Sequence, residues 1–411
     1  MRKVGIIGAG PAGIMCAIQA VNDNLQVVVF DKNSCVGKKL LVTGNGRCNY
    51  WNSDQDLEHY HSHNPLVLSN IITPKLQEEV LNFFDSLGIV PRIREGYYYP
   101  YSNQASSIRD LLECYARKVG VEFSLDTEVF DVYKEDSKFV IVTKDGSEYF
   151  DDLVVATGSK ASPKTGSTGD GYLFAKKFGH SIISVRPALV QVITDGKFLK
   201  DWAGVRSFCS VSLHQDGTFI KKEVGEIQLT DYGVSGICVF NLSHYISRDV
   251  SKKHQFQLFV NFLPFLDNKS EDEIFSFFSC RGKLLGDYSL VEFLGGILPC
   301  KLILVILKRC GIFSKSTWNS LNSYEKEELI HMILEFPLDV LGTKDFNFSQ
   351  VCSGGVPLME VNSFLESKKV KHLYFVGEVL DVDGDCGGYN LGFCFMSGMI
   401  VGKVLRGEIS D

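Results

Sequence analysis

The chain lacks several features that would have pointed its function elsewhere. No apolar run reaches the roughly 20 residues of a membrane span; the most apolar stretch, "GGILPCKLILVILKRCGIF", is broken by Pro299, Lys301 and Lys308. Neither sign of charge is in large excess. The 42 Lys and Arg stand against 49 Asp and Glu, a net −7 over 411 residues, which gives no electrostatic footprint for a nucleic acid. Histidine is sparse, nine in all, and none of the twelve cysteines forms a C-x-x-C pair, so neither a zinc site nor a disulfide reductase is expected. Nothing at the start reads as a targeting segment: the basic Met1-Arg2-Lys3 runs into a glycine pattern with no cleavage-type end. There is no repeat and no low-complexity tract. These absences leave a reduced, cytoplasmic protein with no membrane or nucleic-acid partner as the expectation. Its length suits two or three domains, and 45% hydrophobic with 22% charged residues suits a globular one.

What is present is glycine in a particular place. "KVGIIG", residues 3–8, is a short apolar strand; Pro11 to Asn22 has helical spacing through Ile14, Ala17, Ile18 and Val21; "QVVVFDK" is a second strand. Gly8, Gly10 and Gly13 stand at the first turn of this βαβ unit as G-x-G-x-x-G. Gly8 permits the turn, Gly10 lets a diphosphate approach the backbone, and Gly13 lets helix and strand pack closely. Pro11 suits the first helical turn, where its missing N–H costs little. Asp31, 23 residues after Gly8, ends the second strand where a carboxylate would accept ribose hydroxyls. The unit predicts a dinucleotide site.

The next residues favour FAD over NAD. "NSCVGKKLLVTGNGRCNYWN", residues 33–52, is a polar, glycine-rich loop that could lie along an extended cofactor. "EVFDVYKEDSKFVIVTKDGSEYFDDLVVATGS" alternates as a three-stranded meander over Val129–Lys134, Lys138–Thr143 and Ser147–Phe150, then enters a buried strand ending in Ala156-Thr157-Gly158. Near the C-terminus a strand, Leu373–Val376, leads to Gly377-Glu378, then a loop with Asp381, Asp383 and Asp385. Gly387-Gly388-Tyr389-Asn390 opens a helix running to about Leu405. For a flavin, that helix start would face the pyrimidine side of the ring. The aspartates lack EF-hand spacing, so no metal is expected. This order of parts resembles the glutathione-reductase-like FAD-binding Rossmann fold, an α/β class.

Residues 188–342 interrupt this domain, whose two parts are 1–187 and 343–411. "PALVQVITD", "GVRSFCSVSLHQDG", "FIKKEVGEIQLTD" and "HQFQLFVNFLP" are short alternating runs that predict a β-barrel-like insert. Ser270–Ser279, Leu302–Cys310 and Ser323–Phe336 read as a small helical part within about 268–336, the last with a capping box led by Ser323. An insert of this kind is expected to roof a small-molecule substrate pocket; an oligomerisation module is the other reading, and the oligomeric state is left open.

"GKKLLVTGNGRCN", "ATGSKASPKTGSTGDGY", "GEIQLTDYGVSGICVFNLS" and "GEVLDVDGDCGGYNLGF…SG" together resemble the BaiN/YhiN-like flavoproteins over nearly the whole chain. The resemblance implies FAD held by Gly8, Gly10, Pro11, Ala12, Asp31 and Lys32; by Lys39, Leu40, Thr43, Gly44, Asn45, Gly46, Arg47, Cys48 and Asn49; by Val129, Ala156, Thr157 and Gly158; and by Gly377, Glu378, Asp383, Gly388, Tyr389, Asn390 and Leu391. Three departures touch the substrate side: Asp231 replaces a histidine, Ile237 a proline, and Phe393 and Phe395 stand in a segment usually richer in tryptophan. The resemblance implies an FAD-dependent oxidoreductase. Its reaction is NAD(P)H-driven reduction of an enone C=C bond or O₂-dependent oxidation of an aminoacetone-type amine; a flavin-binding regulatory or RNA-associated protein without turnover is the alternative of a different class.

No side chain is assigned as catalytic acid or base. "EHYHSHN", with His59, His61 and His63, reads as a solvated loop rather than a metal site. "YYYPY", Tyr97–Tyr101, either walls a pocket or packs. Cys48 beside Arg47 is a candidate reactive thiol, because a neighbouring cation lowers a thiol pKa. "GSTGDG", Gly166–Gly171, follows no convincing βα unit, so NAD(P)H would have to meet the flavin directly.

Overall fold

The opening apolar run forms strand β1 (Arg2–Ile7), followed by helix α1 (Pro11–Ala20) and strand β2 (Leu25–Phe30). The chain later adds β3 (Glu122–Ser124), β4 (Asp152–Val155) and β5 (Leu373–Phe375). All five are parallel, in the order β5-β4-β1-β2-β3. Val27 and Val29 of β2, Leu153, Val154 and Val155 of β4, and Phe375 of β5 are all buried, the near-continuous apolar signature of a parallel sheet covered on both faces. The computed structural model describes residues 1–248 and 254–409.

The meander forms as read, with strands Val129–Glu135, Lys138–Thr143 and Gly146–Phe150. It packs closely on β1: a Cβ on Gly5 would lie 2.6 Å from Ile141 Cδ1 and 3.0 Å from the Phe150 ring. The last helix, α2 (Tyr389–Arg406), lies along α1. Here glycine brings two backbones together. A Cβ on Gly398 would be 2.4 Å from the Ala12 carbonyl oxygen, and one on Gly402 would be 2.7 Å from that of Cys16.

The chain divides into two units, residues 1–187 with 349–411, and residues 188–348. Within the second, a closed barrel runs in the order Val192–Thr194, Gly233–Ser235, Thr218–Leu229, Arg206–Gln215, Phe256–Asn261 and Phe336–Thr343. Its helices include Glu271–Leu285, Leu290–Gly295, Cys300–Arg309 and Ser323–Leu334. The last helix corrects the sequence reading. Its N-cap is Asn322, not Ser323: the Asn322 side chain accepts the Glu325 N–H at 2.9 Å, and Glu325 accepts that of Asn322 at 2.9 Å. Asparagine caps as well as serine, and Asn322 has a glutamate three residues on where Ser323 has a lysine.

In the first unit a polar network ties the segment before β5 to the rest. Buried His180 places Nδ1 2.7 Å from Glu360 and Nε2 2.7 Å from the Ser367 hydroxyl. Ser181 and Lys369 also donate to Glu360. Burial lowers the His180 pKa against the opposing pull of Glu360. Despite its own desolvation, Glu360 is held down to about 2 by hydrogen bonds from Ser181, Lys369 and His180.

Gly398→Leu should lose at least about 2 kcal/mol in urea unfolding, because the side chain meets backbone that cannot move aside. Gly295→Ala, whose Cβ would meet nothing within 4 Å, should change the midpoint little. For pH, the unfolded chain binds a proton at His180 near 6.5 that the folded chain resists, so that contribution falls as pH drops below about 6.5. Glu360 stabilises fully above its unfolded value, and that contribution is lost as pH falls toward about 2. Thermal unfolding measured from neutral pH down to strong acid should decline through both windows, and Glu360→Gln should remove the lower one.

Candidate cofactor-binding site

The three glycines of the first turn prove to have different reasons. Gly8 has φ +111°, and a Cβ there would lie 2.4 Å from the Ala156 carbonyl oxygen, where β4 ends. A Cβ on Gly13 would lie 2.0 Å from the Gly8 oxygen, so it seats the helix on the turn. Gly10 has an ordinary φ of −78°, and among the described residues nothing lies within 4 Å of where its Cβ would be. Here the missing side chain leaves open space instead of making a fold contact. That space sits at the start of α1, whose first N–H groups lack intrahelical partners and whose dipole end is positive, and it fits a diphosphate. Pro11 and Ala12 form the first turn, with Pro11 at the position that needs no N–H.

At the end of β2, Asp31 holds this turn in shape. One oxygen accepts the Ala9 N–H at 2.8 Å, and the other accepts the Asn33 N–H and amide at 2.8 and 2.9 Å. A carboxylate has about four acceptor sites and three are taken, so one remains, on the oxygen that faces Ala9, for a ribose hydroxyl. Lys32 turns elsewhere, donating to Thr168 at 2.5 Å and Asp170 at 2.6 Å. Asp170 opens the helix Asp170–Lys177 that follows "GSTGDG". The glycine run does therefore lie between a strand, β4, and a helix. An acidic first residue disfavours a phosphate there, so it is not a second dinucleotide turn.

The loop from Gly37 to Asn49 is wound through positive φ at Gly37, Gly44, Asn45, Gly46 and Cys48. Thr43 donates to the Leu40 carbonyl at 2.7 Å. Leu40 and Cys48 are fully buried. The reading of Cys48 as an activated thiol is overturned: burial pushes it up to about 12. The Arg47 guanidinium donates to Gly44 O at 3.1 Å and lies 5.4 Å from the Tyr99 ring centre. Asn49, with its amide oriented to satisfy its neighbours, donates to Trp51 O and Tyr98 O.

The other half of the site comes from the C-terminal segment. After β5, Gly377 has φ +71°, and a Cβ there would lie 2.8 Å from Ala12 Cβ and 3.3 Å from Cys394 Sγ. Glu378 accepts the Lys39 ammonium at 2.7 Å and the Ser159 hydroxyl at 3.0 Å. Lys39 and Glu378 stand 339 residues apart in sequence and meet here. Ser159, which no sequence signal marks, directly follows the A-T-G end of β4. Thr157 packs against Gly171, and a Cβ on Gly158 would meet only Ser167, at 3.8 Å. Val129 opens the meander opposite Thr143, two residues after Thr127, whose N–H donates to the Asp31 carbonyl at 2.9 Å.

The histidine run is a clamp on the aspartate loop, not a solvated loop. Buried Asp381 accepts the His63 N–H at 2.8 Å and faces His63 Nδ1 at 3.1 Å; buried Asp385 lies 2.9 Å from His61 Nε2 and 3.2 Å from His59 Nδ1. Asp383, also buried, and Gly384 pair with Tyr60–His61 as a two-residue antiparallel ladder. Local periodicity cannot reveal partners this far apart in the chain.

This clamp sets the start of α2. Gly388, φ +96°, is the N-cap, and a Cβ there would lie 2.5 Å from the Trp51 backbone. Asn52, which the sequence reading places only in the polar loop, donates to Gly387 O at 2.9 Å. The Asn390 amide accepts from Gly384 N and donates to Gly384 O, both at 2.8 Å, leaving its backbone N–H in the helix's first turn with that of half-buried Leu391. Tyr389 stacks on His59 with ring centres 4.5 Å apart, and burial pushes its phenol pKa up. Tyr97, Tyr98 and Tyr99 of "YYYPY" lie on a short strand and make packing contacts. Tyr98 packs edge-on against Tyr50, whereas Tyr97 lies against Gly387 at the mouth of α2.

The register of the two helices gives the site its length. Gly398 meets Ala12 and Cys16, and Gly402 meets Cys16 and Ala20, so α1 and α2 run parallel. In that register the start of α2 projects about six residues, roughly 9 Å, past the N-terminal end of α1. Two positive helix ends are thus staggered by about the span of a ribityl chain. One suits a diphosphate and the other the electron-rich edge of a flavin.

Comparison with known proteins agrees with this fold. The HI0933-like protein Rossmann domain family matches residues 2–404. The 3-dehydro-bile acid delta(4,6)-reductase of Clostridium scindens is 35% identical over 414 aligned positions, 98% of each chain. The ribosomal RNA dihydrouridine synthase of Haemophilus influenzae is 29% identical over 400, 95% of each. Among solved structures, a 3-ketosteroid delta1-dehydrogenase from Sterolibacterium denitrificans aligns over 100% of both chains with a TM-score of 0.51 at 10% identity, a likeness of fold alone. With the glycine turn, the Asp31 carboxylate and the second helix start in place, and the family matched almost end to end, the chain belongs to the HI0933-like Rossmann-domain family.

Proposed function

We propose that the protein, an FAD-dependent oxidoreductase, reduces a carbon–carbon double bond conjugated to a carbonyl in a small organic substrate, with NADH or NADPH as electron donor. The observation that carries the cofactor assignment is the open cradle at Gly10 combined with the staggered start of α2. FAD, when bound, supplies hydride transfer. The chain supplies binding and charge. The first turn of α1 would hold the diphosphate and Asp31 the ribose, and the first-turn N–H groups of Tyr389, Asn390 and Leu391 would favour negative charge on the ring. Lys39 and Glu378 fix the N-terminal loop to the C-terminal segment.

The reaction class is supported by the relatives. A delta(4,6)-reductase and a dihydrouridine synthase are both named for saturating ring C=C bonds. A small substrate is favoured over RNA by the higher identity to the bile-acid enzyme and by the acidic net charge.

Two experiments test this. Gly10→Val should fold normally by circular dichroism, since its side chain enters open space, yet bind FAD at least about tenfold more weakly, read from visible absorbance on reconstitution. Tight yellow Gly10→Val protein would remove Gly10 from the cofactor site. For the reaction, NADH or NADPH should bleach the wild-type flavin under anaerobic conditions, and a cyclic enone should restore it with formation of the saturated ketone. Peroxide release with an amine, reoxidation only by ribosomal RNA, or no reduction by any donor would each replace this reading.

A further inference from the structure

The barrel unit carries a pair of cysteines that the flavin reading does not use. Cys209 lies on the strand Arg206–Gln215, and Cys238 is the second residue of the helix Ile237–Arg248. Both are buried, at 0% and 1% exposure. Each perturbs the ionisation of the other, as two thiols close together do.

A glycine makes this meeting possible. Gly225 is the cross-strand partner of Cys209. A Cβ on Gly225 would lie 3.5 Å from Cys238 Cβ and 4.0 Å from its sulfur. With no side chain at that register, the helix settles onto the strand pair and Cys238 reaches the neighbouring strand. Its sulfur also lies 3.7 Å from the Glu226 carbonyl oxygen.

The surroundings divide the roles of the two sulfurs. Cys238 sits in the first turn of a 12-residue helix, at its positive end. That position favours negative charge on the Cys238 sulfur, the character that the attacking thiol of a dithiol oxidation needs.

We propose that Cys209 and Cys238 form a redox-sensitive dithiol, which a small hydroperoxide oxidises to an intrachain disulfide joining barrel strand to helix. The Cys238 thiolate attacks a peroxide oxygen; the O–O bond breaks, and the leaving oxyanion takes a proton to become water or an alcohol. Cys238 is then a sulfenic acid. Cys209 attacks that sulfur, the S–O bond breaks, and the hydroxyl departs as water with the Cys209 proton. Two electrons pass from the two thiols to the peroxide. Burial restricts the oxidant to one as small as hydrogen peroxide, admitted by local opening.

The test uses the full-length reduced holoprotein. It is exposed to hydrogen peroxide, alkylated, digested without reduction and mapped by mass spectrometry. The expected product is a Cys209–Cys238 cross-linked peptide that dithiothreitol reverses, with a higher thermal midpoint for the oxidised protein. Cys209→Ser should trap a dimedone-reactive sulfenic acid at Cys238. The exposed Cys114, Cys280 and Cys300 serve as internal controls. Recovery of both Cys209 and Cys238 as alkylated thiols, under conditions that oxidise those three, would overturn the proposal. So would a disulfide linking either residue to a different cysteine. The wild-type map decides the matter even where a serine variant fails to fold.

Discussion

Everything at the cofactor site depends on the contact between α1 and α2, where backbone meets backbone. Gly398 and Gly402 carry no side chains to hold the helices apart, so Ala12, Cys16 and Ala20 of α1 approach the second helix directly. Contact this close tolerates little sliding, because each glycine sits over a particular carbonyl or amide. It fixes the axial offset of the helices, and the offset decides where their positive ends lie. A side chain at either glycine would separate the helices and shift the start of α2 relative to the start of α1.

Around that contact, acidic residues are used to shape loops. Asp31 holds the first glycine turn through Ala9, Glu378 draws in Lys39 and Ser159, and Asp381 and Asp385 hold the histidine run. Each carboxylate is at least partly buried and hydrogen-bonded, as the cost of desolvation demands. The result is a site assembled from both ends of the first unit at the C-terminal edge of β1, β4 and β5, the edge where open parallel sheets bind ligands.

Much of the fold is legible because its signals are local. The G-x-G-x-x-G turn, the acid closing β2, the meander with its Asp145-Gly146 hairpin and the alternating runs of the barrel each declare themselves within a few dozen residues. Errors arise where a nearby residue offers a plausible but wrong explanation. Arg47 beside Cys48 suggests an activated thiol, and burial decides otherwise. Ser323 looks like a helix cap, and Asn322, one residue earlier, has the better-spaced glutamate.

By itself the sequence determined that a dinucleotide turn exists, that a second glycine-started helix exists, and that a barrel-forming segment lies between them. Only the tertiary structure decided which of three glycines leaves room for a ligand, that the histidines clamp the aspartates, and that the two helix starts are offset along one line. The physical reason is that local patterns record torsional and hydrophobic preferences of neighbouring residues, whereas helix register is set by which atoms collide. That collision joins residues from opposite ends of the chain, Ala12 and Gly398 among them.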